Sequence, residues 1–328
     1  MDPLGWKLRQ KARMNLLFAQ NCAHATLLSL EDGLGWRDPA VLRAATNFEG
    51  GVVGCGETCG IATGGVLGIG AILAARGCRG EGSLEDSIQR VSAEYLAWFE
   101  QRMGTCLCRE RTGVDFAKLR GLARYLLPGD KLLKCLGSIG EAVEFLCRLL
   151  LKETAGGGAG PGPAAQDGGA VEEPHCSFTV LRSVQPAEVD SHPSLAWAAS
   201  GLAGGVALGG SVCGALLGGI LGTGLAFGYD PRTLGKVGIT GAFVRGHWHL
   251  VRPPRGELPQ EAFARSRRLA DGFRERFGSL RCRDIAGSSF GSFEELRRFL
   301  AESDKCRSVI AWCQEQGRRL VTEGRTPS

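Results

Sequence analysis

GCGETCGIATGGVLGIG, residues 54–70, places two cysteines in front of a run in which glycine returns at Gly60, Gly64 and Gly68. Glycine inside a helix disfavours it by about 1 kcal/mol relative to alanine, so three of them at a spacing of four imply a compensating gain. That spacing lines them along one face and lets another backbone come close. A helix packed through a bare face, with Cys59 at its start, is the first expectation.

LGGSVCGALLGGILGTG, residues 208–224, repeats the pattern at an offset of 154, with Cys213 for Cys59 and Gly214, Gly218 and Gly222 for the stripe. The same offset lays Cys176 on Cys22. At an offset of 174, ERFGSLRCRD (275–284) matches QRMGTCLCRE (101–110), so Cys282 answers Cys108; at 171, Lys305-Cys306 answers Lys134-Cys135. The chain is written twice with a period near 155 residues, too long for a solenoid, and each copy is a domain. We expect a first domain over 1–151, a Gly/Ala/Pro-rich linker over 152–174 and a second domain over 175–328, with an insertion near 239–259 forming a surface excursion. Residues three or four apart (Leu84, Ile88, Val91, Tyr95, Phe99; then Phe263, Ser266, Leu269, Phe273, Phe277) predict helices, and alternation suited to a strand occurs only around 243–251. The expected fold is all-α: two tandem small helical bundles of about five helices each, related by internal duplication.

The 328 residues carry a net charge of +5 with basic and acidic residues interspersed, which argues against nucleic-acid binding. Residues 191–229 contain no Asp, Glu, Lys or Arg, enough for a membrane span, but Gly209-Gly210-Ser211 divides them into pieces of core-helix length. A membrane span is therefore not expected. Thirteen cysteines, an odd number, behind an N-terminus with no apolar core and cleavage site, predict a reducing, cytoplasmic setting rather than a secreted disulfide scaffold.

Four cysteines are matched between the copies: Cys22, Cys59, Cys108 and Cys135, then Cys176, Cys213, Cys282 and Cys306. Cys55, Cys78, Cys106, Cys147 and Cys313 stand alone. A single cysteine often serves as a small apolar residue, but four kept together point to a joint role. Sets of four thiolates bind zinc or hold iron–sulfur clusters. No CxxC occurs, which disfavours zinc modules and covalent haem. Thiol–disulfide exchange is the other chemistry open: Cys59 and Cys213 begin helices, near Thr58 and Ser211 as candidate caps, where the helix dipole favours a thiolate. Cys55 and Cys106 are accessory candidates. His247 and His249 would share a face only on a strand, and a solvated loop pair is the expectation. Glu57 is expected to cap or to be solvated, and no GxGxxG-like string has a βαβ setting.

Asn21-Cys22-Ala23, the GETCGIATGG block at 56–65, Cys108 in MGTCLCR (103–109), Cys282 in FGSLRCR (277–283) and the final Cys135 and Cys306 together resemble the C_GCAxxG_C_C family of redox-active proteins. Both copies resemble it, with His175 in place of Asn21 in the second. The resemblance implies a helical domain with four characteristic cysteines, similar to the iron–sulfur domain of split-Soret cytochromes. It implies a 2Fe-2S or 4Fe-4S cluster in each domain, held by Cys22, Cys59, Cys108 and Cys135 and by Cys176, Cys213, Cys282 and Cys306, serving electron transfer to a partner protein or redox sensing. We further expect the two copies to pack as an intramolecular pseudo-dimer. The alternatives left open are a metal-free dithiol/disulfide oxidoreductase, without a cofactor, and a membrane-associated structural module.

Overall fold

The computed structural model describes residues 3–76, 83–155, 175–252 and 261–323. Among them are seventeen α-helices and no strand, only two isolated bridges, Thr58 with Leu107 and Val212 with Arg281. The first copy runs α1 (Pro3–Ala19), α2 (Cys22–Leu34), α3 (Pro39–Ala44), a 3-10 turn (Ala45–Phe48), α4 (Gly60–Arg76), α5 (Leu84–Met103), α6 (Cys108–Thr112), α7 (Leu119–Leu126) and α8 (Asp130–Ala155). The second runs α9 (Cys176–Val184), α10 (Pro186–Ser191), α11 (Pro193–Ser200), α12 (Gly214–Phe227), α13 (Pro231–Val251), α14 (Ala262–Phe277), α15 (Cys282–Ala286), α16 (Phe293–Glu302) and α17 (Asp304–Thr322).

Local chemistry sets the helix starts. Asn21 opens α2 by accepting from the amides of Ala23 and His24, Asp38 opens α3 ahead of Pro39, and Ser83 forms a capping box with Asp86 on α5. His175 replaces Asn21 without losing the cap, because its Nδ1 accepts from the Phe178 amide.

The charge-poor stretches become the centres of the bundles. Residues 60–74 of α4 and 214–225 of α12 are buried, and each helix is apolar all round because others surround it. α4 packs on α2, α5 and α8 of its own copy and on α11 of the other; α12 packs on α9, α14 and α17 and, across, on α3. The glycine stripes seat α2 and α9: a Cβ on Gly64 would stand 2.9 Å from Ala23 Cα, and one on Gly218 would collide with the Ser177 carbonyl. Gly70 lies against the Trp197 carbonyl and Gly224 against the Ala44 carbonyl, so the copies meet backbone to backbone. No described helix is long and apolar enough to cross a membrane.

Some expectations change. The insertion is not a strand as far as it is described: α13 continues through 239–251, with Val244 and Trp248 exposed and a break at Gly235 (φ 68°, ψ 166°). It lies on the first copy, where Gln20 Nε2 donates to Thr240 Oγ1 at 2.9 Å and Arg232 pairs with Glu31 at 2.5 Å. Its neighbours are helices, chiefly α14 and α1, which offer no strand edge to pair with. Residues 253–259 of the insertion lie outside the described residues, as do 156–174 of the linker, whereas 152–155 prolong α8. Each copy also holds more and shorter helices than five, since Pro39, Pro186 and Pro193 each restart the chain at a first helical turn.

Candidate functional site

Ahead of α4 and α12 the backbone makes the same left-handed turn. Gly50, Gly51, Val52, Val53 and Gly54 have φ of 59°, 73°, 62°, 46° and 69°, and Gly204, Gly205, Val206, Ala207 and Leu208 have 60°, 88°, 58°, 51° and 62°. This region disfavours L-residues by roughly 1–2 kcal/mol each and β-branched ones most, so the surroundings must over-determine it. They do so with hydrogen bonds from Gly56 and Glu57 to the carbonyls of Gly50 and Gly51 at 3.0 and 2.9 Å, repeated by Gly210 and Ser211 onto Gly204 and Gly205 at 3.0 and 2.9 Å. Val52, Val53 and Val206 are buried.

The turn delivers the second cysteine to the third. Cys59 N donates to Cys106 O and Cys108 N to Glu57 O, both at 2.8 Å; Cys213 N donates to Leu280 O at 2.8 Å and Cys282 N to Ser211 O at 2.6 Å. Gly51 is needed for this approach, because a Cβ there would stand 2.6 Å from Cys108 Cβ, as one on Gly205 would stand 2.8 Å from Cys282 Cβ. Cys59 and Cys213 immediately precede α4 and α12, but the expected caps do not act: Thr58 Oγ1 is buried without a partner and Ser211 Oγ donates to the Gly205 carbonyl.

Cys22 starts α2 and Cys135 lies in the second turn of α8, so the first four thiols come from separate elements and act on one another electrically. Cys22 and Cys135 are neighbouring thiols, and the interaction with Cys135, ahead of burial, pushes the Cys22 thiol well up. The same interaction, against burial and with help from Tyr125, Arg111 and Lys134, draws Cys135 down to about 6. Burial, then the neighbouring Cys59 and Cys135, raises Cys108. Arg111, only 4% exposed, sends Nη1 to Cys59 Sγ at 3.0 Å and Nη2 to Ser138 Oγ at 2.6 Å, and lies over the Phe99 ring at 4.9 Å. A buried guanidinium among thiols is a countercharge for sulfur anions.

Cys176, Cys213, Cys282 and Cys306 are also within electrical reach of one another, without that cation. CRERT at 108–112 is answered by CRDIA at 282–286, which puts Ile285 where the first copy has Arg111. Burial pushes Cys176 up to about 11 and Cys213 up to about 12, and it raises Cys282 and Cys306 as well. At Cys213 the lost hydration outweighs the amides of Leu216 and Ala215, so the helix start does not yield the thiolate expected there.

Among the described residues no group of three or more His, Cys, Asp or Glu side chains could hold a single metal ion. Four thiols around a cluster stand farther apart than four around one ion, because iron and sulfide lie between them. Four thiols converging from four elements, with a guanidinium donating to one sulfur, have the donor chemistry such a cluster needs.

The unmatched cysteines are dispersed. Cys55 is buried near Arg267 and Arg274 of α14, Cys106 turns its thiol to the Leu96 carbonyl at 3.9 Å, and Cys147 packs beside Gly33. Cys313 is within electrical reach of Cys213 and Cys176, and Cys78 lies outside the described residues. Glu57 is neither cap nor solvated group: it pairs with Arg281 at 3.0 Å and joins the cysteine loops of the two copies. His247 and His249 sit on α13, two apart and so on different faces, rather than on a strand or solvated loop. His247 is buried, and His249 Nε2 stands 3.1 Å from Glu261. His24 is buried with Nε2 on the Leu42 carbonyl at 2.8 Å, and burial lowers it to about 4.

Sequence comparison missed Arg111, Tyr125 and Arg281. Arg111 and Arg281 escape it because their counterparts, Ile285 and Leu107, do not carry the function.

A family model described as "Putative redox-active protein (C_GCAxxG_C_C)" matches residues 20–149 and again 174–318. Each match spans one set of four cysteines. No curated protein and no solved structure matches the chain.

Proposed function

The chain belongs to the C_GCAxxG_C_C family twice over, with the redox role of that family, and from this premise we propose that each copy holds an iron–sulfur cluster for electron transfer or redox sensing. The observation that carries the proposal is the convergence of four thiols from four separate elements, present in both copies. Such a cluster supplies a reversible one-electron site. The chain's own residues do the rest. The left-handed turn holds Cys59 against Cys108, and Arg111 donates to the Cys59 sulfur, which favours the reduced form at the first site over the second, where Ile285 stands. The copies act as an intramolecular pseudo-dimer in a reducing, cytoplasmic setting, with Glu57 and Arg281 between their cysteine loops and a redox protein as partner.

Anaerobic purification with a visible spectrum and iron and sulfide analysis is the test. The expected result is a brown protein in which Cys59→Ala and Cys213→Ala each remove about half of the iron; a colourless, iron-free protein overturns the proposal. In that event the interaction between the Cys22 and Cys135 thiols favours dithiol exchange at the first site, in which both thiols lose a proton and an electron to a partner disulfide and join as Cys22–Cys135. Non-reducing peptide mapping after mild oxidation would find that bond.

A further inference from the structure

Beneath the insertion helix lies a cavity of about 200 Å³ that has no part in the cysteine sites. It is a half-open cleft lined by the first copy at Glu49, the end of α12 with Tyr229, the middle of α13 and the start of α14. Phe227, Tyr229, Phe243 and Phe263 give it aromatic walls. Two acids line it: Glu261, which is paired with Arg245 and His249, and Glu49, only 8% exposed.

Among the described residues nothing donates a hydrogen bond to the Glu49 carboxyl. His247 Nδ1 stands 3.6 Å from Oε1 but already donates to the Phe243 carbonyl at 2.9 Å. Arg245, also in the cavity lining, is held by Glu261 at 2.7 Å. Phe227 carries Arg265 over its ring at 4.4 Å; Tyr229, Phe243 and Phe263 carry no cation but pack against the rings of His24 and His247, at 5.2 Å for Tyr229, 4.1 Å for Phe243 and 6.1 Å for Phe263. Burial pushes Glu49 up to about 8. A buried carboxyl without a donor destabilises the fold unless something compensates it. The complement of a buried acid that receives no hydrogen bond and has only a histidine at 3.6 Å, among aromatic faces, is a cation with an apolar body, since rings attract ammonium groups and the carboxylate neutralises them.

We propose that this cavity binds a small organic ammonium, an arylalkyl amine of one ring, with Glu49 as counter-ion and Tyr229, Phe243 and Phe263 as its cage. The site belongs to the seam between the first copy and the insertion, and it is independent of whether the cysteines hold a cluster.

Calorimetry on the full chain with benzylamine and benzyl alcohol, alike in shape and different in charge, tests it. Benzylamine should bind at one saturable site, at least about tenfold tighter than the alcohol. Glu49→Gln should abolish that preference, Phe243→Ala should weaken the amine severalfold, and circular dichroism should show both variants folded. Absence of saturable benzylamine binding at millimolar concentration, equal affinity for the alcohol, or a preference that survives Glu49→Gln overturns the proposal. The amine-to-alcohol comparison is made on the unaltered chain, so it decides even if a variant fails to fold. No thiol or cofactor enters the readout, and a negative result leaves the redox proposal standing.

Discussion

Arg111 makes the first cysteine set electrically unlike the second. Its charge helps to draw Cys135 from about 9 to about 6, behind the interactions with Cys22 and Tyr125. Arg111→Leu should therefore move the alkylation profile of Cys135 to higher pH and leave Cys213 unmoved, as followed by iodoacetamide rates and peptide mass. For Cys135 taken by itself the linked effect on stability has one sign, and the raised Cys22 and Cys108 beside it act in the opposite sense. A thiol whose folded value is depressed stabilises the fold fully above pH 9, and that contribution is lost as the pH falls towards 6. Glu49 runs the other way: its value is raised from 4.5 to about 8, so its contribution is full below 4.5 and lost as the pH climbs to 8. Glu49→Gln removes that loss, and the variant's Tm should gain on the parent's across this window, provided no cation is bound in the cavity.

At the scale of elements, α2 and α4 are held together by missing side chains. Gly64→Leu drives a branched chain into the backbone at Ala23, and should destabilise the fold by about 1–3 kcal/mol or more. Under the proposed function it should also cost the first site its cluster or its redox titration while the second keeps its own; a variant that retains both would show that the stripe serves packing alone. Gly51→Ala tests the left-handed turn, where φ of 73° and the 2.6 Å approach to Cys108 both oppose a methyl group; loss of about 1–2 kcal/mol or more in denaturant unfolding is expected.

Much of this architecture was legible in the sequence, because helices and their close contacts leave periodic marks. The spacing of Gly60, Gly64 and Gly68 announced the α2 contact, and the period of Leu84, Ile88, Val91 and Tyr95 announced α5. The left-handed turn left no such mark, since Val52, Val53 and Val206 are residues that local preference keeps out of it and only tertiary contacts hold there. The alternation in 243–251 misled because a strand pattern was placed among helices, whose packing decided the outcome. Candidate cysteines emerged from comparing the copies with each other, a comparison blind to Arg111, where the copies differ.

At the scale of the molecule, the copies grip each other through α4 on α11 and α12 on α3, at Gly70 and Gly224. A protease site placed within 156–174 should therefore yield two fragments that still elute together on size exclusion after cleavage. Gly70→Leu, which collides with the Trp197 carbonyl, should let them part; separate elution of the unaltered fragments would show that the contact is too weak to stand alone. Arg281→Gln removes the ion pair with Glu57 but, at 39% side-chain exposure, should cost no more than about 1 kcal/mol.

Fusion also frees the molecule from an obligation of symmetry. A homodimer of either copy would carry Arg111 at both centres or at neither, and an α13 on both flanks or on neither. One chain with two unequal halves can keep an arginine beside one set of thiols and an isoleucine beside the other, always in a ratio of one to one. Under the proposed function, two centres so differentiated would rest at unequal potentials, and the difference would give electrons moving between them a preferred direction.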